Sequence, residues 1–316
     1  MKKKVIVSGA YGFLGRYAAR ALNAAGYEVY ALGHGGWPAE EYSKYGIFRW
    51  ISSDITYESL CSLDLSGEVH ALVHCGGGSS VAYSVEHPSL DYKKTVESAL
   101  AALEYIRREN PSAKFIYPSS TAVYGVCPDE KISTGNRTNP LSPYGYNKAA
   151  AELMCESYNK NYSVSCSIIR FFSIYGEGLK KQLLWDACEK IVKCVPGEDA
   201  VFYGTGGETR DWINAADAAS LIVTAAGSAG GYEILNGGSG IKTTISESVS
   251  LLLAELEKYG ITGRGVKFNG MVKKGDPFYY WADISGALKL GWKPGIDFKT
   301  GVERYVRWYV NECGAR

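Results

Sequence analysis

The chain has 316 residues, of which 46% are hydrophobic, so it can bury the core of one large domain or of two smaller ones. Its 34 basic and 33 acidic residues leave a formal net charge of +1, which excludes functions that need a strongly charged surface, such as general nucleic-acid binding. The apolar run Val5–Val7 is shorter than the roughly 7–15 residues of a signal-peptide core, and no stretch approaches the roughly 20 residues of a membrane span. We therefore expect a cytoplasmic protein that does not bind a membrane.

Cysteine and histidine spacing argues against a metal site. The eight cysteines form no C-x-x-C pair, and the four histidines are not at metal-ligand spacing. A chain of this length does not need disulfides to stabilise its core. The sequence therefore predicts free thiols and no bound metal.

Predicted strands and helices alternate through the first half of the chain. Apolar runs and helical periodicity predict strands at 5–8, 28–32, 48–51, 71–74, 114–117 and 165–170, and helices at 13–25, 95–109 and 145–159. This alternation is typical of a parallel sheet covered by helices on both faces. After about residue 175 the pattern is less regular, with a strand at 232–235 and helices at 247–258, 283–290 and 302–311.

A glycine-rich stretch, Gly9–Gly15 (GAYGFLG), joins the first predicted strand to the first predicted helix. This G-x-x-G-x-x-G spacing is a variant of the dinucleotide-binding fingerprint, in which glycines allow a tight turn and a close approach to a pyrophosphate. The helix N-terminus then directs free N–H groups at the phosphates. A glycine-rich turn without a ligand is the alternative. The cofactor-binding candidates here are Gly9, Tyr11, Gly12, Phe13, Leu14 and Gly15.

The second predicted strand lacks the acid that usually binds the ribose 2′-hydroxyl of NAD. Gly33-His34-Gly35-Gly36 follows the strand, and the next acid is Glu40. A carboxylate at this position would repel a 2′-phosphate, so its absence favours NADP over NAD. His34 is a candidate contact for that phosphate, and an ordinary loop position is the equally good alternative.

Ordered motifs along the chain carry a family resemblance. They are Gly9–Gly15, Ser119–Gly125 (SSTAVYG), Pro143–Lys148 (PYGYNK), Arg170–Gly176 (RFFSIYG) and Arg210–Ile213 (RDWI). Together they resemble the extended short-chain dehydrogenase/reductases, a group of nucleotide-sugar epimerases, dehydratases and reductases. The resemblance implies an α/β fold: a Rossmann doubly wound parallel sheet with a smaller C-terminal α/β substrate-binding lobe. We expect residues 1–173, with about 211–240, to form the NAD(P)-binding domain, and 174–210 and 241–316 to form the lobe.

The Tyr144-x-x-x-Lys148 spacing places both side chains on one face of a helix, one turn apart. A tyrosine with a pKa of about 10 is a poor proton shuttle at neutral pH, and a neighbouring ammonium favours the phenolate. The resemblance implies that Tyr144 is the acid/base and that Lys148 also holds the nicotinamide ribose. It further implies that Thr121, or otherwise Ser120, donates a hydrogen bond to the reacting oxygen.

The resemblance also implies contacts outside the reacting pair. The further cofactor-binding candidates are Asp54, Ile55, Cys75, Gly76, Gly77, Ser119 and Phe171, and the substrate-binding candidates are Ser173, Arg210, Lys273 and Asp276. Thr95 and Ser173 each stand where the family usually has asparagine, so the substrate pose need not copy that of known epimerases. Each charged candidate could instead be a solvated surface group.

Dehydratases and uronate decarboxylases of this group carry an acid just after the reacting Thr or Ser, whereas Ala122 and Val123 follow Thr121 here. A 4-keto-sugar reductase and a 4-epimerase remain, and the missing ribose acid tilts the prediction towards the reductase. A non-catalytic, cofactor-sensing protein on the same fold is the third alternative. The resemblance also implies a homodimer formed through the helices at 95–109 and 145–159. Burial of their Ala-rich faces, such as Ala99–Leu103, inside one subunit is the competing explanation.

Overall fold

The computed structural model describes residues 2–271 and 278–314. Its strands are β1 (Lys4–Ser8), β2 (Glu28–Gly33), β3 (Ile47–Ser52), β4 (Val69–His74), β5 (Lys114–Ser120), β6 (Ser165–Phe171), β7 (Ser173–Tyr175), β8 (Asp199–Phe202), β9 (Thr209–Arg210), β10 (Trp212–Asn214), β11 (Tyr232–Gly237), β12 (Thr243–Thr244) and β13 (Gly265–Phe268). Its helices are α1 (Phe13–Ala24), α2 (Ala39–Tyr42), α3 (Tyr57–Cys61), α4 (Val81–Glu86), α5 (Pro88–Tyr92), α6 (Ser98–Glu109), α7 (Pro143–Tyr162), α8 (Gln182–Lys193), α9 (Ala215–Gly227), α10 (Ile245–Glu257), α11 (Ser285–Lys289) and α12 (Phe298–Cys313).

Seven of the described strands form one parallel sheet in the order β11-β6-β5-β4-β1-β2-β3. The strand order reverses between β1 and β4, since the chain builds outward from β1 to β3 and then in the other direction from β4. Ligands of doubly wound sheets bind at such a switch point, outside the carboxyl ends of the strands. Gly9 and Cys75 follow β1 and β4 directly, so the glycine-rich stretch lies at this point. The predicted sheet and fold class are confirmed.

The strands alternate their side chains between two apolar layers. In β1, Val5 and Val7 pack into the layer under α1 and α9, while Ile6 packs into the layer under α3, α6 and α7. All three side chains are fully buried. This period-two alternation, with apolar residues on both faces, is what a sheet covered on both sides requires.

A third apolar cluster organises the C-terminal lobe. It is contributed mainly by α8, α10 and α12, with β8 and β13 as a short parallel pair beside it. Phe298 at the start of α12 stacks on Trp212 with ring centroids 5.5 Å apart. The Tyr305 hydroxyl donates to the Leu179 carbonyl at 2.8 Å and links α12 to the segment before α8.

The predicted helix at 95–109 proves to be one part of a longer helical run. The run begins with α5, where Pro88 occupies the first helical position, passes through a π-helical segment at Lys93–Glu97, and continues as α6. Proline has the backbone angle of a first helical residue and lacks the N–H that such a position leaves unpaired. Single-turn π segments are rare, and they often lie at functional sites.

Within residues 2–271 and 278–314, no helix is both long enough and apolar enough to cross a membrane. In the same part of the chain, no three His, Cys, Asp or Glu side chains gather as a metal site would require. All eight cysteines are free thiols.

Candidate active site

The turn after β1 is packed so closely that side chains do not fit in it. Gly9 has φ +73°, and a Cβ on it would lie 2.6 Å from the Gly76 nitrogen. A Cβ on Gly15 would lie 2.4 Å from the Gly9 oxygen. Gly12 is the N-cap residue of α1 and has no side chain to cap it, so the N–H groups of the first helical turn stay free to bind a ligand. This cradle fits a pyrophosphate, as the glycine spacing predicts.

The side chains of the three other candidates in this stretch make mainly apolar and aromatic contacts. Phe13 packs against the cluster of the C-terminal lobe, and Leu14 packs against the sheet. The partly exposed ring of Tyr11 makes an edge contact with Trp37, and the Arg16 guanidinium lies over both rings. Any contact that Phe13 and Leu14 make with a phosphate therefore comes from their N–H groups.

His34 and Asp54 pair with each other at the outer end of the switch point. The His34 Nε2 lies 2.8 Å from Asp54 Oδ1, and both side chains are largely exposed. Next to Asp54, the Ile55 side chain packs on Gly76, where a Cβ would lie only 2.3 Å away from it. The end of β3 thus brings a carboxylate to the end of β2. Sequence spacing within β2 alone misses this acid.

The end of β4 and the turn after it carry an imidazole and a thiol that are both uncharged at neutral pH. Burial raises the pKa of the Cys75 thiol to about 12, so this thiol is not a nucleophile at neutral pH. His74, at the end of β4, lies between the hydroxyls of Ser8 and Ser98 at 2.7 and 3.1 Å. Burial, with the nearby positive charge of Lys148 as a smaller cause, lowers the pKa of His74 to about 3, so His74 is neutral. Gly77, with φ +125°, turns the chain away from the strand.

Lys148 lies beside the Tyr144 ring on the buried face of α7. Its ammonium donates to the Pro118 carbonyl at 3.0 Å and lies 4.8 Å from the centre of the Tyr117 ring. Burial lowers the pKa of Lys148 to about 8. Helix α7 approaches this closely because Gly145 has no side chain: a Cβ there would lie 2.6 Å from the Ala122 carbonyl oxygen. The predicted pairing of Tyr144 with Lys148 is therefore present in the structure.

The hydroxyl that meets Tyr144 belongs to Ser120, the second choice of the sequence analysis. Burial raises the pKa of Tyr144, and a hydrogen bond with Ser120 opposes that rise. The pKa of Tyr144 in the chain alone is therefore raised rather than lowered, with burial as the largest cause. Thr121 instead begins a 3₁₀ turn, and its carbonyl accepts from the Tyr280 hydroxyl at 3.3 Å. The side chain of Ser120, at the carboxyl end of β5, faces the site.

The side chains of two predicted cofactor contacts, Ser119 and Phe171, interact with other residues of the protein. The Ser119 hydroxyl donates to Glu152 at 2.5 Å, and Glu152 forms a buried ion pair with Arg170 at 2.7 Å. Phe171, the last residue of β6, is buried with its ring against Gly237 of β11, where a Cβ would lie 2.4 Å from the ring. Both side chains are buried against other parts of the protein, and their contact with a cofactor stays a prediction.

Asp91 on α5 is a site residue that the sequence analysis missed. It is completely buried, its Oδ2 accepts from the Asn147 side chain at 2.7 Å, and its Oδ1 has no partner among the described residues. The Asp91 carboxylate packs on Gly78, whose N–H donates to Thr95 at 2.9 Å. Its position before the predicted helix start gave no sequence signal of an inward-facing carboxylate.

The substrate candidates line a pocket of about 470 Å³ in the C-terminal lobe. Ser173 and Arg210 both contribute to it, as predicted, together with Gln182, Leu183, Asp186, Tyr203, Gly204, Glu208, Trp212, Ile245, Met271 and Phe278. Lys273 and Asp276 lie outside the described residues. Lys181, beside this pocket, donates to the Ser79 hydroxyl at 2.9 Å and so connects the lobe to the turn after β4.

Comparison with known proteins assigns this arrangement of residues to a family. The model of the NAD dependent epimerase/dehydratase family matches residues 5–238. The chain belongs to this family. A putative UDP-glucose 4-epimerase of Methanocaldococcus jannaschii is 28% identical over 97% of this chain and 98% of its own length. A UDP-glucuronate 4-epimerase of Thermodesulfobacterium geofontis is 27% identical over 96% of this chain and 95% of its own length.

Solved structures of epimerases share the whole fold of this family member. A UDP-N-acetylglucosamine 4-epimerase from Methanobrevibacter ruminantium, in complex with UDP-N-acetylmuramic acid, has a TM-score of 0.84 and 24% identity and covers 99% of this chain and 100% of its own. A UDP-glucuronic acid 4-epimerase from Bacillus cereus, in complex with UDP-glucuronic acid and NAD, has a TM-score of 0.81 and 24% identity and covers 98% of this chain and 99% of its own. These likenesses establish the fold.

The comparisons confirm the resemblance and the predicted class of enzyme, and they leave two finer preferences without support. The named relatives are 4-epimerases, which favours the alternative reaction over the reductase. The UDP-glucuronic acid 4-epimerase from Bacillus cereus and a UDP-glucose 4-epimerase from Thermus thermophilus are complexes with NAD, so nothing here supports the preference for NADP. Both preferences rested on the missing acid at the end of β2, and Asp54 supplies a carboxylate close to that position.

Proposed function

We propose that the protein is a nucleotide-sugar 4-epimerase that works with bound NAD. The observation that carries the proposal is the reacting end of the site, where Tyr144, Lys148 and Ser120 meet. Thr121 and Ala122, which follow Ser120, are not acids, so the group needed for dehydration is missing. The Asp91 carboxylate is completely buried and does not supply it. The chain therefore presents one acid/base, which is what reversible oxidation at one carbon requires.

Tyr144 removes the proton from the sugar 4-hydroxyl while the C4–H bond breaks, and a 4-keto sugar forms. Bound NAD supplies the acceptor for that hydride and can return it to the same carbon. Ser120 donates a hydrogen bond to the reacting oxygen, and the Lys148 charge favours the phenolate form of Tyr144. When hydride returns to the opposite face of the ketone, Tyr144 gives its proton back. The sugar leaves with C4 inverted and with no net oxidation.

The proposed cofactor is NAD because of the charge at the outer end of the site. Asp54 and His34 lie where the adenosine end would rest, and the Asp54 carboxylate opposes a 2′-phosphate. The glycine cradle at Gly9–Gly15 fits the pyrophosphate. His34, the candidate phosphate contact of the sequence analysis, is already paired with this carboxylate.

The proposed substrate is a nucleoside diphosphate sugar that runs from the pocket in the lobe to Tyr144. Arg210 and Ser173 are the proposed contacts of the diphosphate, since both line the pocket on the side of β7 and β9. The relatives named above act on UDP-sugars, so UDP-glucose and UDP-glucuronate are the first substrates to test.

We also propose that the protein forms a homodimer through α6 and α7. The Ala99 and Leu103 side chains, suggested for this interface by the sequence, are fully buried within the chain. The large apolar side chains that these helices leave exposed are Leu100, Tyr146, Leu153 and Tyr162, of which Leu153 is 60% exposed. Light scattering should give twice the mass of one chain, and Leu153→Glu should give the monomer.

Cofactor content and product formation test the proposed function together. Protein purified without added cofactor should release NAD on denaturation, and it should convert UDP-glucose or UDP-glucuronate to the 4-epimer with no cofactor added. Cofactor-free protein that is stabilised more by NADPH than by NADH would instead indicate a reductase that exchanges its cofactor. A melting temperature that responds to neither cofactor would contradict the proposed role of the glycine cradle.

A further inference from the structure

Asp91 is a buried carboxylate that no cation contacts directly in the described residues. It makes no ion pair there, and its one hydrogen bond to a side chain goes to the neutral amide of Asn147. Burying an unpaired carboxylate is costly, so such a group usually has a use. Asn147 lies between Tyr144 and Lys148 on α7, so Asp91 contacts the helix at the reacting pair.

The other titratable groups around the reacting pair carry little net charge. His74 at the end of β4 is neutral, and the pKa values of the Cys75 thiol and the Tyr117 hydroxyl are raised by burial. Glu152, one turn along α7 from Lys148, is ion-paired with Arg170 at 2.7 Å. Among the described neighbours of Lys148, Asp91 therefore provides the negative charge that no cation already offsets.

We propose that Asp91 is a positioning residue for the Tyr144–Lys148 pair: its carboxylate orients Asn147 and keeps the buried Lys148 ammonium protonated. This inference rests on the proposed function. Burial works against the Lys148 charge, and a lysine that lost its proton could no longer favour the phenolate of Tyr144. The negative charge of Asp91 raises the pKa of both Lys148 and Tyr144.

The same side chain also holds the turn after β4. A Cβ on Gly78 would lie 1.9 Å from Asp91 Oδ1, so only glycine fits there. Thr95, one turn further along the helix, accepts from the Gly78 N–H at 2.9 Å. Thr95 therefore offers a matched control, because it shares the packing against Gly78 but carries no charge.

The test is the pH dependence of kcat/KM for UDP-glucose and UDP-glucuronate with the holoenzyme of the wild type, Asp91→Asn and Thr95→Val. Asp91→Asn keeps an oxygen for Asn147 and removes the charge. We expect both limbs of its profile to move to lower pH, because loss of a negative charge lowers the pKa of Tyr144 and of Lys148. We also expect the rate at the optimum to fall by about 10- to 100-fold, since a neutral amide oxygen holds Asn147 more weakly than a carboxylate does.

Thr95→Val should lower the rate without moving the limbs. An Asp91→Asn profile that falls in height but keeps the wild-type limbs would overturn the proposal, as would an equal displacement in Thr95→Val. Folding of Asp91→Asn is judged from its melting temperature and NAD content, and Asp91→Ser replaces it if it does not fold. If neither variant folds, the role of Asp91 is structural and the proposal is rejected. Wild-type protein that forms no epimer at any pH refutes the proposed function itself.

Discussion

The two ends of the site are built in opposite ways. At the reacting end, Lys148 is buried, and glycines such as Gly9 and Gly145 let backbone segments touch. In the pocket of the lobe, charged side chains such as Asp186 and Arg210 stand among aromatic and apolar ones in the lining. The reacting end therefore has one closely packed arrangement, whereas the pocket offers side chains of several kinds to a substrate. We infer that the chemistry is fixed by the sheet and substrate choice by the lobe.

This contrast predicts that the largest loss of activity follows substitution of Tyr144. Tyr144→Phe removes the acid/base and keeps the ring in its buried position, so activity should fall by roughly 10²- to 10⁴-fold. The check is the initial rate of epimer formation, with the NAD content measured beside it. Unchanged NAD content would show that the cradle is intact. A variant with near wild-type rate would contradict the assignment of Tyr144.

The second-largest effect is expected from a substitution in the glycine turn, because it should weaken binding of the cofactor. Gly9→Ala forces a side chain into a left-handed backbone with the Gly76 nitrogen 2.6 Å away, so we expect a cost of at least about 1–3 kcal/mol in stability. Protein purified from this variant should also hold less NAD. Gly36→Ala is the matched control, because a Cβ there meets nothing within 4 Å. Equal losses in the two variants would argue against the cradle.

At the boundary between the two ends, Lys181→Met should weaken substrate binding. Lys181 lies beside the pocket and reaches across to Ser79, so we expect it to contact an anionic group of the substrate. Loss of one charge-assisted hydrogen bond should raise KM by roughly 10- to 100-fold. Lys180→Met serves as the control, since Lys180 pairs with Glu312 on the surface. The neighbouring lysine should therefore leave KM unchanged, and a KM that stays the same in both variants would remove Lys181 from the site.

The smallest effect is expected at the adenosine end. Asp54→Asn removes the carboxylate that opposes a 2′-phosphate, so the preference for NAD over NADP should weaken. Both Asp54 and His34 are exposed, and the change should therefore be less than about tenfold. The change in preference is measured as the affinity of NAD and of NADP for protein from which the bound cofactor has been removed. A preference that strengthens would show that Asp54 does not act on the phosphate.

Sequence patterns predict correctly those parts of the site in which the interacting residues lie close together in the chain. Val5–Val7, the glycine spacing and the Tyr144–Lys148 pair are local, and the structure has each as expected. Contacts between distant segments give no such pattern. The proximity of Asp54 to the end of β2 depends on strand pairing, and the inward position of Asp91 depends on how α5 packs on α7.

Two further differences between the sequence predictions and the structure arise because burial or local backbone structure opposes the expected interaction. The sequence predicts that Lys148 lowers the pKa of Tyr144, but it does not show that burial opposes this effect. Likewise Ser120 and Thr121 are chemically equivalent candidates. The start of a 3₁₀ turn directly after Ser120 decides which of the two hydroxyls meets Tyr144.

Isotope transfer tests the central claim most directly. UDP-glucose and UDP-glucuronate carrying deuterium at C4 are each incubated with the purified holoenzyme, with no added cofactor, and the product is analysed by mass spectrometry and NMR. The account predicts a 4-epimer that keeps the deuterium at C4, because the hydride leaves and returns within one site. Product that has lost its deuterium from C4, or release of a 4-keto sugar together with an equal amount of reduced cofactor, would contradict the account.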